Sequence, residues 1–367
     1  MANFIGARIK ALREERKLSQ DDLARVFGFK DRQTVSAIET GERRVTAEEL
    51  VIAVEKLGAS LDYFTNPFLL VGEGRFSWRQ TNVGLQALNG YERSAGRWIA
   101  AYRALSPQVG RAVPLLRRSL GLTPRHSFED AMEAGERFVA EFELGDVPAD
   151  RLAESMERAL GILVLRVDAF EGISGAACRL PELDVVLINR NEVVGRRNFD
   201  LAHELFHILT WDTMPPEHSE AAVETGGNRV EQLANNFASA VLMPVNILDG
   251  MADWSALADD ALVARLNGAA DQLKVTASAL KWRLVALNRL KLAKARAIPD
   301  AALRNNGRGE AAVDAPPPFS KPFVEVVGLA IEGGHLSARR ASGLLDLTVD
   351  ELGDLFEVYG APSPIEL

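Results

Sequence analysis

The chain has one cysteine, Cys178, among 367 residues. A single thiol closes no internal disulfide and cannot build a cysteine zinc cluster, so any metal must be held by histidines and carboxylates; the same scarcity agrees with a reducing compartment. Long apolar runs are missing too. Nothing approaches the roughly 18 residues that cross a bilayer, and the opening MANFIGARIKALREERK has no long apolar stretch after its basic residues, so a cytoplasmic chain without a membrane segment is expected. A basic surplus is also absent: 42 Lys and Arg against 51 Asp and Glu give a net charge of -9. Taken as an average, that argues against a nucleic-acid partner. The distribution says otherwise, because residues 1–45 carry ten basic against seven acidic residues, and residues 75–125 carry nine arginines against Glu92 alone. The N-terminal part is therefore expected to meet a different partner from the acidic remainder.

What is present describes a globular protein: 47% hydrophobic and 25% charged residues over a length that implies two or three cores. Residues 1–66 read as five short helices, with Phe4, Ile5, Ile9 and Leu12, then Leu23 and Phe27, then Val35 and Ile38 at helical spacing. Ser19 with Asp22 and Thr46 with Glu49 read as caps, Gly28 and Gly41 as stops. Residues 67–145 read as a helical, arginine-rich connector, and 146–250 as an α+β domain. In that domain β-rich runs at 162–167, 173–180 and 185–188 precede helical segments at 196–210 and 229–242. Residues 251–297 form a helical extension, 298–320 a Gly, Asn and Pro-rich linker, and 321–367 a C-terminal helical segment. The expected fold is multidomain and mainly α, with one small-sheet α+β domain.

A helix-turn-helix needs two short helices, a tight turn and small polar residues leading the helix that enters the major groove. The run from Leu18 to Gly41, LSQDDLARVFGFKDRQTVSAIETG, meets those needs. Over residues 4–65 it resembles the Xre repressors, a five-helix lambda-repressor-like fold. The resemblance implies that Gln20 touches phosphate, that Gln33, Thr34 and Ser36 face the groove, and that Arg32, Arg43 and Arg44 add phosphate contacts. Glutamine paired with adenine discriminates bases by about 1–3 kcal/mol, whereas arginine–phosphate contacts give affinity that falls with salt. The competing assignment is a helical bundle for protein contact. The arginines of 75–125 either track phosphates or pair with the acidic part of the chain.

The second motif is His203-Glu204-Leu205-Phe206-His207. Residues four apart share a helix face, so two imidazoles converge on one metal while the glutamate between them reaches a water. Zinc lowers the pKa of such a water to about 7, and Glu204 is the candidate base. A catalytic zinc takes three protein ligands, and Glu231, Glu224, Glu220 and His218 are available as the third. Glu231 is preferred because Leu233, Ala234, Phe237 and Val241 give its helical segment a buried stripe that fixes its direction. From about Leu160 to Pro244, through RRNFDLAHELFHIL and the segment EQLANNFASAVLMP, the chain resembles the ImmA/IrrE metallopeptidases, a zincin-like group. That resemblance makes His203, His207 and Glu231 the metal ligands and Glu204 catalytic. Phe206 stands where many relatives carry Gly and narrows the room beside the helix. Zn²⁺ is the expected ion, though His₂Glu accommodates Mn²⁺ as well.

Weaker patterns remain. Residues 262–290 have the order of another helix-turn-helix, with Lys281 and Arg283 facing phosphate, or else they cover the peptidase domain. Leu344, Leu345, Leu352, Leu355 and Phe356 form a stripe read as a dimerising or docking surface. Cys178 reads as core. Together these features imply a cytoplasmic, homodimeric regulator binding a double-stranded operator. Its zinc peptidase would cleave a repressor- or antitoxin-type protein, or its own head, to relieve repression under stress. The alternative is a non-enzymatic regulator or antitoxin whose metallopeptidase-like domain senses a ligand or partner.

Overall fold

The computed structural model describes residues 4–112, 114–221, 228–304 and 315–361. Five helices open it: α1 (Phe4–Glu15), α2 (Gln20–Phe27), α3 (Arg32–Glu39), α4 (Ala47–Leu57) and α5 (Leu61–Thr65). Their limits are set by local chemistry. Ser19 with Asp22 and Thr46 with Glu49 form reciprocal capping boxes, and Gly28 ends α2 in the left-handed region at φ 72°. Asp31, which the sequence reading did not single out, accepts from the backbone N–H groups of Gln33 and Thr34 and so starts α3. Ile9, Leu23, Phe27, Val35, Ile38 and Leu57 fill the centre of this head. Arg13 Nε to Glu39 Oε1 at 2.6 Å ties α1 to α3. At Gly6 a β-carbon would stand 1.9 Å from the Ile38 carbonyl oxygen, so only glycine lets the two helices approach.

Then follow β1 (Arg75–Gln80), α6 (Leu85–Leu105), α7 (Phe128–Glu141), α8 (Pro148–Ala159), β2 (Ile162–Val167), β3 (Ile173–Arg179), β4 (Asp184–Asn189), α9 (Val194–Thr210), β5 (Ser219–Ala221) and α10 (Arg229–Leu242). The strands form one sheet in the order β2-β4-β3-β1-β5. β3 is antiparallel to both β1 and β4, whereas β2 pairs parallel with β4 and β5 with β1. β1 corrects the assignment of 67–145 as a helical connector, since it is a strand inside this sheet. Its alternation is real, with Phe76 and Trp78 in the apolar core and Ser77 and Arg79 between them. Six residues with two arginines and a glutamine do not stand out beside long helical patterns.

The chain continues through α11 (Val245–Met251), α12 (Asp259–Leu273), α13 (Ala277–Ala286) and α14 (Leu292–Ala297) to α15 (Lys321–Glu332), α16 (Ala338–Leu345) and α17 (Val349–Tyr359). Both faces of the sheet are covered, which is why β2 and β4 are nearly continuous apolar runs. Ile162, Val164, Ala177, Val186 and Ile188 share a core with side chains of α7 to α10, α12 and α13. Leu163, Leu165, Cys178, Val185 and Leu187 share the other with α6 and α15 to α17. Leu345, Leu352, Leu355 and Phe356 are buried there, so the stripe expected to dimerise or dock packs inside its own chain. Four of the arginines of 75–125 pair within the chain: Arg97 meets Asp346 at 2.7 Å, Arg103 meets Glu73 at 3.5 Å, Arg117 meets Asp184 at 3.4 Å, and Arg118 pairs with Glu141, whereas Arg75, Arg111 and Arg125 are exposed. Of the two roles weighed for them, internal pairing is the one these contacts favour.

The second helix-turn-helix pattern is likewise a cover over the core. Arg283 is buried on Glu136 at 2.6 Å and Lys281 is buried beside Asp300, which leaves neither for phosphate. Of the expected linker, residues 305–314 lie outside the described residues. Its ends are packed, Ile298 and Leu303 in one core and Phe319 in the other, where Phe319 bridges Arg166 of β2.

On α8, burial pushes the Glu157 carboxyl up to about 7 from an ordinary 4.5. A carboxyl that holds its proton more tightly when folded contributes fully below the unfolded value of about 4.5, and the contribution is lost as pH rises through about 7. Glu157→Gln is therefore expected to raise the melting temperature at pH 8 and leave it nearly unchanged at pH 4, a comparison two thermal melts would settle.

Candidate metal centre and DNA-binding face

The HELFH run lies in the middle of α9, so His203 and His207 stack one turn apart with ring centroids 4.8 Å from each other. α10 supplies the third group. Asn228 caps that helix by accepting from the Glu231 backbone N–H at 3.0 Å, which fixes Glu231 in the first turn. α7 braces α10 from behind at Gly135, where a β-carbon would stand 2.8 Å from the Phe237 carbonyl oxygen. Glu231 then reaches both rings: Oε2 lies 3.3 Å from His203 Nε2 and Oε1 lies 3.2 Å from His207 Nε2, while the two Nε2 atoms are 3.0 Å apart.

These spacings can be tested against an ion. A tetrahedral metal bound at about 2.0–2.1 Å sets its ligand atoms about 3.3 Å apart, and the two Nε2 atoms, each with a Glu231 oxygen 3.2–3.3 Å away, stand at that scale. Among the described residues this trio is the group of ligand atoms that could hold a metal ion. A ligating imidazole must be neutral, and burial, then the nearby Arg79 cation, push His203 down to about 3. Its Nδ1 lies 3.0 Å from Asn235 Oδ1, an acceptor, so Nδ1 carries the hydrogen and the Nε2 lone pair faces His207 and Glu231.

Glu204, buried between the two histidines, has its pKa pushed well up by desolvation. Its Oε1 is buried without a hydrogen-bond partner among the described residues. Gly175 of β3 lies beside it: an added β-carbon there would meet Glu204 Cγ at an ordinary 3.6 Å and the Leu187 carbonyl oxygen at 2.9 Å. A carboxyl placed this way on the ligand helix is a candidate to take up and release a proton.

The other proposed third ligands are not part of the cluster. His218 sits 2.7 Å from Glu92 Oε2 at the surface, Glu224 lies outside the described residues, and Glu220 contributes its backbone to β5. Phe206 does not narrow a cleft: it is fully buried in the core against Phe237, ring centroids 5.5 Å apart. Sequence reasoning missed three neighbours of the cluster. Asn235 and Asp200 lie within the motifs already singled out and could have been found there. Arg79 carries no local signal, because it arrives from β1, 124 residues before His203.

In the head, Arg32 and Gln33 are exposed on the first turn of α3, with Thr34 and Ser36 partly so. Arg44 is exposed. Two other predicted contacts are engaged within the chain: Gln20 Nε2 donates to Glu39 Oε2 at 2.9 Å, and Arg43 grips Glu49 with Nη2 and Nη1 at 2.6 and 2.9 Å.

Helices of this order and a buried His₂Glu trio define a regulator with a DNA-binding head and a peptidase-like body. Residues 9–64 match the helix-turn-helix family model, of the Xre type, and residues 157–284 match the IrrE N-terminal-like domain, a peptidase family. The chain thus carries a match to each of the two families, head before body. No curated protein matches it. No helix among the described residues is long and apolar enough to cross a membrane.

Proposed function

We propose that this protein is a cytoplasmic transcriptional regulator, dimeric on its operator, whose metal-dependent peptidase cleaves a repressor- or antitoxin-type protein, or its own head, to relieve repression under stress. Residues 1–66 are its DNA-binding domain, with Arg32, Gln33, Thr34, Ser36 and Arg44 toward DNA and Gln20 and Arg43 setting the frame of α2 to α4. The observation that carries the peptidase half is the trio of His203, His207 and Glu231, spaced as ligands of one ion with Glu204 on the same helix. Zn²⁺, or Mn²⁺, held there supplies Lewis acidity toward a peptide carbonyl and makes water a nucleophile near neutral pH. Glu204 accepts the proton of the attacking water at its carboxylate and passes it to the leaving amine. Asn235 keeps His203 in the tautomer that ligation needs.

One observation favours a second function, a regulator that senses a ligand or partner without turnover. His203, Glu204 and His207 are each at most 1% exposed, so a polypeptide reaches them only if the surrounding elements part.

Elemental analysis of the purified chain tests the shared premise. One metal per chain is expected, lost in both His203→Ala and Glu231→Ala; a metal-replete wild type without metal would sink the metal-centre assignment. A chelator should also lower the melting temperature of the wild type and leave both variants unmoved. An ion at a thousand times its Kd stabilises the folded state by about 4 kcal/mol.

A further inference from the structure

Arg79 reaches the cluster from a strand that lies outside residues 157–284, the part of the chain that matches the peptidase family. Register places it there. In the β1–β3 ladder Arg79 stands opposite Gly175, which lies beside Glu204. Its Nε meets Asp200 Oδ1 at 3.2 Å, one turn before His203 on α9, and its Nη1 is 3.8 Å from Glu231 Oε2. The same Nη1 is 2.8 Å from His203 Nδ1 and 2.7 Å from Nε2. An atom nearly equidistant from both ring nitrogens lies over the ring face, so Nη1 leaves the in-plane lone pair of the imidazole to Glu231 and His207.

The charges of this buried group can be counted. Asp200, Glu204, Glu231 and Arg79 are 2%, 1%, 6% and 9% exposed. Among them the Arg79 guanidinium is the fixed positive charge, placed beside the Asp200 and Glu231 carboxylates where water screens it little. Arg196 approaches Asp200 at 3.8 Å but is about a quarter exposed and is met by Glu192 at 3.5 Å, so that pair balances itself.

We propose that Arg79 is a built-in counter-cation of the metal centre, a buried positive charge beside the ligands that tunes how tightly a divalent ion is held. This rests on the metal-centre assignment above. The centre is then assembled from both sides of the family-matched segment boundary: α9 and α10 supply the ligands, and β1 supplies the fixed charge beside them.

The test is zinc affinity of the full chain, measured by competition with a chromophoric chelator, for wild type, Arg79→Gln, Arg79→Lys and Asp200→Asn. Arg79→Gln is expected to bind zinc at least tenfold more tightly, since it removes a like charge, and Asp200→Asn at least tenfold more weakly. Arg79→Lys, which keeps the charge, should stay within threefold of wild type. An arginine that served only to hold the fold would weaken zinc binding or leave it unchanged when replaced by glutamine, and either result overturns the proposal. Should Arg79→Gln fail to fold, the other two variants decide: Asp200→Asn at wild-type affinity, or Arg79→Lys weakened beyond threefold, overturns it as well. A wild type that takes up no zinc overturns the metal-centre assignment itself and this proposal with it, a result distinct from zinc binding that ignores Arg79.

Discussion

Glu204→Gln is expected to lower peptide hydrolysis by about 10²–10⁴-fold, the range general acid–base residues supply, with bound metal and DNA affinity unchanged. The amide keeps the volume and the hydrogen-bonding reach of the side chain, and Glu204 is not one of the three clustered residues. What it loses is the ability to accept a proton. New protein N-termini in cells carrying wild type or variant, together with derepression of the regulated gene, give the readout. Loss of both in the variant, with metal content and operator retention equal, supports turnover; identical N-termini and equal derepression would leave the ligand-sensing function standing.

The second large effect lies where head meets body. Glu73 sits between two buried guanidiniums, 3.4 Å from Arg8 Nε and 3.5 Å from Arg103 Nη1, and Arg8 also donates to the Tyr63 and Leu69 carbonyl oxygens at 2.8 and 2.7 Å. Burial raises the Glu73 carboxyl, against the pull of both arginines. Glu73→Ala is expected to cost about 3–5 kcal/mol, because it strands like charges that water cannot reach. Urea denaturation measures it. Glu73→Gln should lose less, since the amide oxygen still accepts, and equal small losses in both variants would show that the charge is not what binds α1 to α6.

The head was legible in the sequence because its signals are short-range: capping boxes, a left-handed glycine and apolar positions three and four apart all lie within one or two turns. The clustering of His203, His207 and Glu231 was legible for a similar reason. His203 and His207 share a helix face, and Glu231 opens the next long helix, so spacing and direction sufficed. β1 and Arg79 were not, because strand pairing across about a hundred residues leaves no mark on the six residues that make it. The C-terminal stripe shows a further limit. Leu352, Leu355 and Phe356 announce an apolar face correctly, but periodicity does not say whether that face meets another molecule or the sheet of its own chain.

That last arrangement bears on how the protein is made. The sheet receives α9 and α10 on one side soon after its strands are complete, whereas α15, α16 and α17, which help cover the opposite side, leave the ribosome more than a hundred residues after β4. During that interval the nascent chain displays Leu163, Leu165, Val185 and Leu187 incompletely sheltered. Translation speed through residues 190–320 and the attention of chaperones thereby become determinants of yield, and premature termination before Lys321 leaves a soluble-looking head attached to a body prone to aggregate.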